Sequence, residues 1–197
     1  NVISHRLFDS VRGATKRMFS NNTDAENTAT NSLTSFDSDG FSLGDSDSVN
    51  GGSDTYVAWN WRASDSNAVS NSDGSISSTV SVNQTSGFSI VSYTGTGSTA
   101  TVGHGLGVVP KFMIVKNRNA TQPWWTFHTD LGGEGNLRLN DSGGNYSDSS
   151  VWNDTAPTSS VFTVGTNTGT NGSGNNIIAY CFAEIEGYSK FGSYTGN

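Results

Sequence analysis

The chain has 197 residues, of which 14% are charged, and a formal charge of -7. Its ten basic residues are scattered among 17 acidic ones, which excludes the clustered Lys and Arg of a nucleic-acid surface. No run approaches the roughly 20 apolar residues of a membrane span, and the single cysteine, Cys181, cannot form an internal disulfide.

Aromatic residues in a Ser/Thr/Gly/Asn-rich background suit many short strands joined by tight turns. The chain opens at Asn1 without a signal-like segment, as a processed chain or the visible part of a longer one would. Val11 to Phe19 is one of two helical candidates, and it lacks a good cap and a full amphipathic stripe. Tyr56-Val57-Ala58-Trp59-Asn60-Trp61 alternates, so Trp59 and Trp61 share a face, expected to be core. Residues 62–86 carry few large apolar side chains. They read as a linker in which Ile76, Val80 and Val82 make one edge strand.

Phe88 to Tyr93 alternates between Gly87 and the run Thr94-Gly95-Thr96-Gly97, which predicts a strand. Pro110 cannot donate to a ladder and fits the start of a more deeply buried strand, Lys111 to Lys116. Trp125 to His128 and Leu137 to Leu139 also alternate. Trp152, in a Ser/Asp-rich loop, is expected to pin that loop down. Ile177 to Phe182 is almost continuously apolar, as a strand between two packed layers would be. The overlapping stretch Ala179 to Glu186 is the second helical candidate.

Self-similarity organises these segments. Gly87-Phe88-Ser89-Ile90-Val91-Ser92-Tyr93-Thr94-Gly95 returns as Gly187-Tyr188-Ser189-Lys190-Phe191-Gly192-Ser193-Tyr194-Thr195-Gly196. Tyr56 to Trp61 returns as Ile177 to Phe182, Phe41-Ser42-Leu43-Gly44 as Phe162-Thr163-Val164-Gly165, and Leu7-Phe8 as Thr126-Phe127. Large apolar positions stay in phase in most pairs, as strand registers require. The expected organisation is a partial unit (1–61), the linker (62–86), a complete sandwich unit (87–186) and the start of a further unit (187–197). The chain thus reads as starting and stopping inside repeats. Half-units leave unpaired edges, so residues 1–61 are expected to complete their sheets with neighbouring chain, such as 62–86, or with another subunit. The predicted fold class is all-β, with antiparallel β-sandwich units in tandem.

Four stretches carry a resemblance: Leu7-Phe8-Asp9-Ser10-Val11-Arg12-Gly13-Ala14-Thr15-Lys16, Ser38-Asp39-Gly40-Phe41, Thr101-Val102-Gly103-His104-Gly105-Leu106-Gly107, and the block 178–196. They resemble a repeat of tail-fibre and other virion-associated proteins of bacteriophages, notably marine ones. The resemblance covers nearly the whole chain. It implies a virion or extracellular location and, by analogy of strand order, a lectin-like jelly roll of the concanavalin type.

Candidate sites follow from residue chemistry. Asp37, Asp39, Asp45 and Asp47 supply oxygens of the kind calcium takes, although the spacing misses the helix-loop-helix pattern and turn propensity alone accounts for them. Calcium is the one cofactor considered. His104 sits among glycines that would let a ligand approach the backbone, or simply make a turn before Pro110. Trp124 and Trp125 point to opposite faces of a strand, so one of them is available as a sugar-stacking platform unless loops cover both. Asp130, Glu134, Glu184 and Glu186 include no pair that stands out for glycoside hydrolysis, and no catalytic residue is assigned.

The leading expectation is a non-enzymatic phage virion protein: a fibre, knob or capsid-surface appendage. It would form a homo-oligomer with other virion subunits and contact host-surface glycan. A lectin-like carbohydrate-binding module, a polysaccharide depolymerase fragment and a subunit of an extracellular filament are the rivals.

Overall fold

A computed structural model describes residues 3–64 and 66–196. The first third holds β1 (Arg6–Leu7), β2 (Lys16–Phe19), β3 (Asn27–Thr28), β4 (Leu33–Phe36), β5 (Phe41–Leu43) and the one-turn helix α1 (Asp47–Asn50). Then come β6 (Val69–Asn71), β7 (Ser78–Asn83), β8 (Phe88–Thr94), β9 (Ala100–Gly103), β10 (Phe112–Asn117), β11 (Trp125–His128), β12 (Gly135–Arg138) and β13 (Tyr146–Ser147). The helix α2 (Ser149–Trp152), β14 (Val161–Val164), α3 (Thr168–Asn171) and β15 (Asn176–Phe182) complete the chain. The fold is all-β and antiparallel, as the alternation predicts.

One eight-stranded sheet dominates, in the order β13-β12-β11-β10-β15-β8-β7-β6. β15 lies at its centre, between β8 and β10. Alternation sends Val91, Tyr93, Met113, Val115, Trp125, Phe127, Ile177, Ala179 and Cys181 to one face. There they meet Val102 of β9, Phe162 and Val164 of β14, and Trp152 of α2, forming a sandwich core. Trp152 is buried and sets its ring edge-on to Phe127 at 6.2 Å, pinning the loop as expected. The opposite face carries Phe88, Ile90, Ile178, Tyr180 and Trp124, and the first third of the chain covers it with Met18, Leu7 and Val11. β15 reads as a continuous apolar run because both of its faces are covered.

Residues 62–86 hold more strand than the one edge strand expected of a linker. They add two strands, β6 and β7, beside β8, and place Ile76 and Val80 in the sandwich core. They therefore extend the main sheet, and among the described residues they form no ladder with β1 to β5. Neither helical candidate forms. Val11 to Phe19 is a turn followed by β2, and Ala179 to Phe182 is the end of β15.

The repeat is visible in the backbone. β1 pairs with β2 through Arg6↔Phe19 and Leu7↔Met18, while β11 pairs with β12 through Trp125↔Arg138 and Thr126↔Leu137. Each of the four residues moves by the same step, 119 positions. β2 and β3 pair as Lys16↔Thr28, and β12 and β13 as Gly135↔Ser147, again by that step. Further along, Gly44 N–H donates to Ser32 O and Ser46 N–H to Asn31 O. Gly165 N–H and Asn167 N–H donate to Val151 O and Ser150 O in the same pattern. A Cβ on Gly44 would run into the carbonyl of Asn31, and one on Gly165 into that of Ser150, so both positions demand glycine for the same reason. Residues 6–51 are thus a half-unit built on the plan of residues 125–172.

Side-chain environments, however, do not repeat. Phe41 on β5 is 36% exposed while Phe162 on β14 is fully buried, and Trp59 is 76% exposed while Tyr180 is buried. Trp61 is exposed too, which corrects the expectation that Trp59 and Trp61 are core. Phe162 is covered because β14 pairs with β9 and lies on the main sheet. Tyr180 is covered because β8 and β10 flank β15. Among the described residues before Arg62, none forms a counterpart of β8, β9 or β10, so the same sequence pattern remains uncovered.

Candidate functional site

The residues singled out for chemistry in the sequence do not converge. Trp124 and Trp125 do point to opposite faces, but both are buried, which removes them as sugar platforms. The Trp124 indole N–H donates to Phe19 O at 2.8 Å and Asn22 O at 3.1 Å, joining the half-unit to the sheet. Trp125 lies in the sandwich core with the Arg138 guanidinium 4.9 Å from its ring centroid. His104 is fully buried; its Nδ1 accepts from Leu106 N–H at 3.2 Å, which leaves Nε2–H to donate to Thr158 O at 3.2 Å. Burial lowers its pKa, with the Thr158 carbonyl and Asp73 opposing. It is a turn residue with both ring nitrogens engaged, not a ligand-facing one.

The acidic stretch is a surface hairpin. Asp37 accepts hydroxyl hydrogen bonds from Ser35 at 2.8 Å and Ser42 at 2.7 Å, which lower its pKa. Asp39, Asp45 and Asp47 are exposed around β5 and α1. Among the described residues, no group of three or more His, Cys, Asp or Glu side chains is placed to hold a metal ion, so the calcium site expected at Asp37, Asp39, Asp45 and Asp47 does not assemble.

A different set of polar residues comes together between the half-unit and the main sheet. Asp9 is buried; it accepts from Arg12 N–H at 2.8 Å, from the Arg12 guanidinium, and from the Tyr180 hydroxyl at 2.5 Å. Arg12 reaches on to Glu26 at 3.1 Å, and Glu26 receives two hydrogen bonds from Arg118, at 2.8 and 3.0 Å. Burial alone would lower the Arg12 pKa, but its interactions with Tyr180, Asp9 and Glu26 outweigh that and raise it. Burial opposes the Glu26 charge as well, and the two guanidinium groups overcome it, lowering its pKa. Tyr180 is pushed well above the ordinary tyrosine value by burial.

Lys116 completes this seam. Its ammonium, fully buried, donates to the carbonyls of Thr23, Asn117, Ala120 and Gln122 at 2.9 to 3.4 Å. Burial lowers its pKa to about 8, against the charge of Asp24, and the group remains mostly protonated at pH 7. The seam is a set of satisfied structural contacts that fix the half-unit on β10, the loop after it and β15. Sequence patterning overlooked it because charged residues ordinarily read as solvated. The one available signal was Lys116 and Arg118 close behind the apolar run 112–115.

Among the described residues, large apolar side chains are exposed on the β4–β5 hairpin (Phe36, Phe41 and Leu43) and, more fully, in the segment after α1. Tyr56, Val57, Trp59 and Trp61 project from an extended segment outside any strand, with Trp59 and Val57 each 76% exposed. Tyr188 and Tyr194 near the other end are also exposed. Soluble surfaces seldom present so many adjacent aromatic residues without a partner.

In comparison with known proteins, the family described as a domain of unknown function, DUF7483, matches residues 1–197. The chain belongs to the DUF7483 family. No curated protein and no solved structure matches this DUF7483 chain. No helix among its described residues is long and apolar enough to cross a membrane.

Proposed function

We propose that this DUF7483 chain is a non-enzymatic structural protein of a bacteriophage virion, a tail-fibre, knob or capsid-surface appendage that takes part in host attachment. The observation that carries the reading is the repeated backbone register of residues 6–51 and 125–172, with a buried polar seam that fixes the first of them on Lys116, Arg118 and Tyr180. Copying one β-module and locking the copies together is a way to build a stiff spacer. The family-like stretches Leu7 to Lys16 and 178–196, which resemble phage tail-fibre repeats, support the same reading. Low charge and abundant Ser, Asn and Thr on loop tips suit weak hydrogen bonding to host glycans, and several copies on one particle multiply such contacts by avidity.

Gold-labelled antibody raised against the chain should decorate a discrete surface feature of the phage particle in electron micrographs. Purified chain, displayed in many copies on beads, should adhere to host cells. Antibody that marks only lysed host cytoplasm, with no adhesion of the beads, rejects the proposal.

A further inference from the structure

We infer that residues 56–61 are a strand-addition site for residues 187–196 of a second copy of this chain. The half-unit is built on the plan of residues 125–172, and the repeat continues from it: Tyr56 to Trp61 correspond to β15, the central strand of the main sheet. β15 is covered because β8 pairs along its whole length, through Ile177↔Tyr93, Ile178↔Ser92, Ala179↔Val91 and Tyr180↔Ile90. Tyr56 to Trp61 have no such strand neighbour among the described residues; Val57 and Trp59 stand in solvent, and Trp61, more than half exposed, touches Phe182 edge-on at 6.4 Å.

The sequence of β8 occurs a second time, at residues 187–196, with Lys190 as an extra residue. Transferring the β15–β8 register sets Tyr56 opposite Tyr194, Val57 opposite Ser193, Ala58 opposite Gly192, and Trp59 opposite Phe191. Trp59 and Phe191 then stand on one face as a cross-strand aromatic pair, in the place of the Tyr180–Ile90 pair of the complete unit. Residues 192–196 are exposed, with Tyr194 94% exposed. The added strand gives up the contacts of Phe191 with Phe112 (5.7 Å) and Phe182 (6.2 Å), the Ile185–Ser189 turn with its Ser189 hydroxyl bonds, and the hydrogen bond from Ser193 to Asp130, and gains main-chain pairing along an edge. The partner is a second copy of this chain because the donor segment is the chain's own repeat of the strand that solves the same problem in the complete unit. The inference is independent of the virion reading, which survives if it fails.

The test uses the 197-residue chain. Light scattering across a concentration series should show a mass rising above 20.7 kDa, and Trp59→Lys should weaken the association about tenfold or more while leaving the melting temperature unchanged. Ala58→Cys and Gly192→Cys, made in separate chains and mixed under mild oxidation, should give a disulfide-linked pair. Gly192 has open space at its Cβ position, and Cys181 is buried with its pKa pushed up to about 12, so it does not compete. Any of three results overturns the inference. The first is a monomer at every concentration, whose mixed variants cross-link no more than an Asp54→Cys and Gly192→Cys control. The second is a double variant, Ala58→Cys with Gly192→Cys, that closes the bond within one chain. The third is association that Trp59→Lys does not weaken, including the case where that variant loses only glycan binding.

Discussion

Removing the Asp9 carboxylate should be among the most damaging single changes outside the cores. Asp9→Ala takes away the acceptor for Arg12 N–H, for the Arg12 guanidinium and for the Tyr180 hydroxyl, all within a buried seam. Breaking a buried ion pair from one side costs about 3–5 kcal/mol. Arg12 keeps Glu26 and the Lys16 and Leu7 carbonyls, which moves the expected cost to the lower end. Adding an orphaned Tyr180 hydroxyl gives a total of about 3–4 kcal/mol. For a chain of this length that corresponds to a fall in melting temperature of about 6–16 °C. Tyr180→Phe alone should cost about 1 kcal/mol, and the double variant should fall short of the sum by about 1 kcal/mol, because the two share one hydrogen bond. Urea unfolding of the four proteins, read by tryptophan fluorescence, completes the cycle. A cost for Asp9→Ala below about 1 kcal/mol, or strict additivity, would show that the seam does not hold the half-unit in place.

Lys116→Met should lower stability by about 2 kcal/mol or more, measured by thermal unfolding, since four carbonyls lose their shared donor. Trp124→Phe keeps most of the packing but removes the indole donor from Asn22 O and from Phe19 O, which retains only the long bond from Asn22 N–H at 3.5 Å. It should cost about 1–2 kcal/mol and raise hydrogen exchange in β2 before β10; unchanged exchange in β2 would contradict this. Tyr93 and Tyr180 have folded pKa values raised by burial, so above the unfolded value near 10 the unfolded state ionises first and stability is lost as pH rises. Ultraviolet titration should show these two tyrosines ionising only with unfolding. His104 has a lowered folded pKa, so its contribution is complete above about 6.5 and is lost as pH falls through the folded value. His104→Gln should flatten the stability profile in that window, as read by denaturant midpoints.

Strand periodicity located β8, β10, β11 and β15, and it identified which residues share a face. It could not say whether a face is covered. That limit explains both Trp59, expected inside and found in solvent, and the pair Trp124 and Trp125, whose opposite directions each meet a packed layer. The Ser- and Asp-rich composition of 62–86 concealed the edge strand β6, whose Val69 is exposed, while Val80 and Val82 marked only β7. The sequence repeat was legible, and its continuation as identical hydrogen-bond registers in β1–β3 and β11–β13 was not, since pairing partners 10 to 13 residues apart leave no mark in composition. The seam of Asp9, Arg12, Glu26, Lys116 and Arg118 depends on residues more than 90 positions apart meeting in space, which no local pattern encodes.

The position of β15 governs how the molecule would respond to tension. The segment after Ala183 leaves from the middle of the main sheet, so a pull on it enters a strand bonded on both sides, through seven residue pairs to β8 and six to β10. An edge strand can be peeled away one bond at a time, whereas extraction of β15 must break two ladders together while tearing apolar side chains from both faces. A tether attached at that end would therefore yield late and abruptly under force.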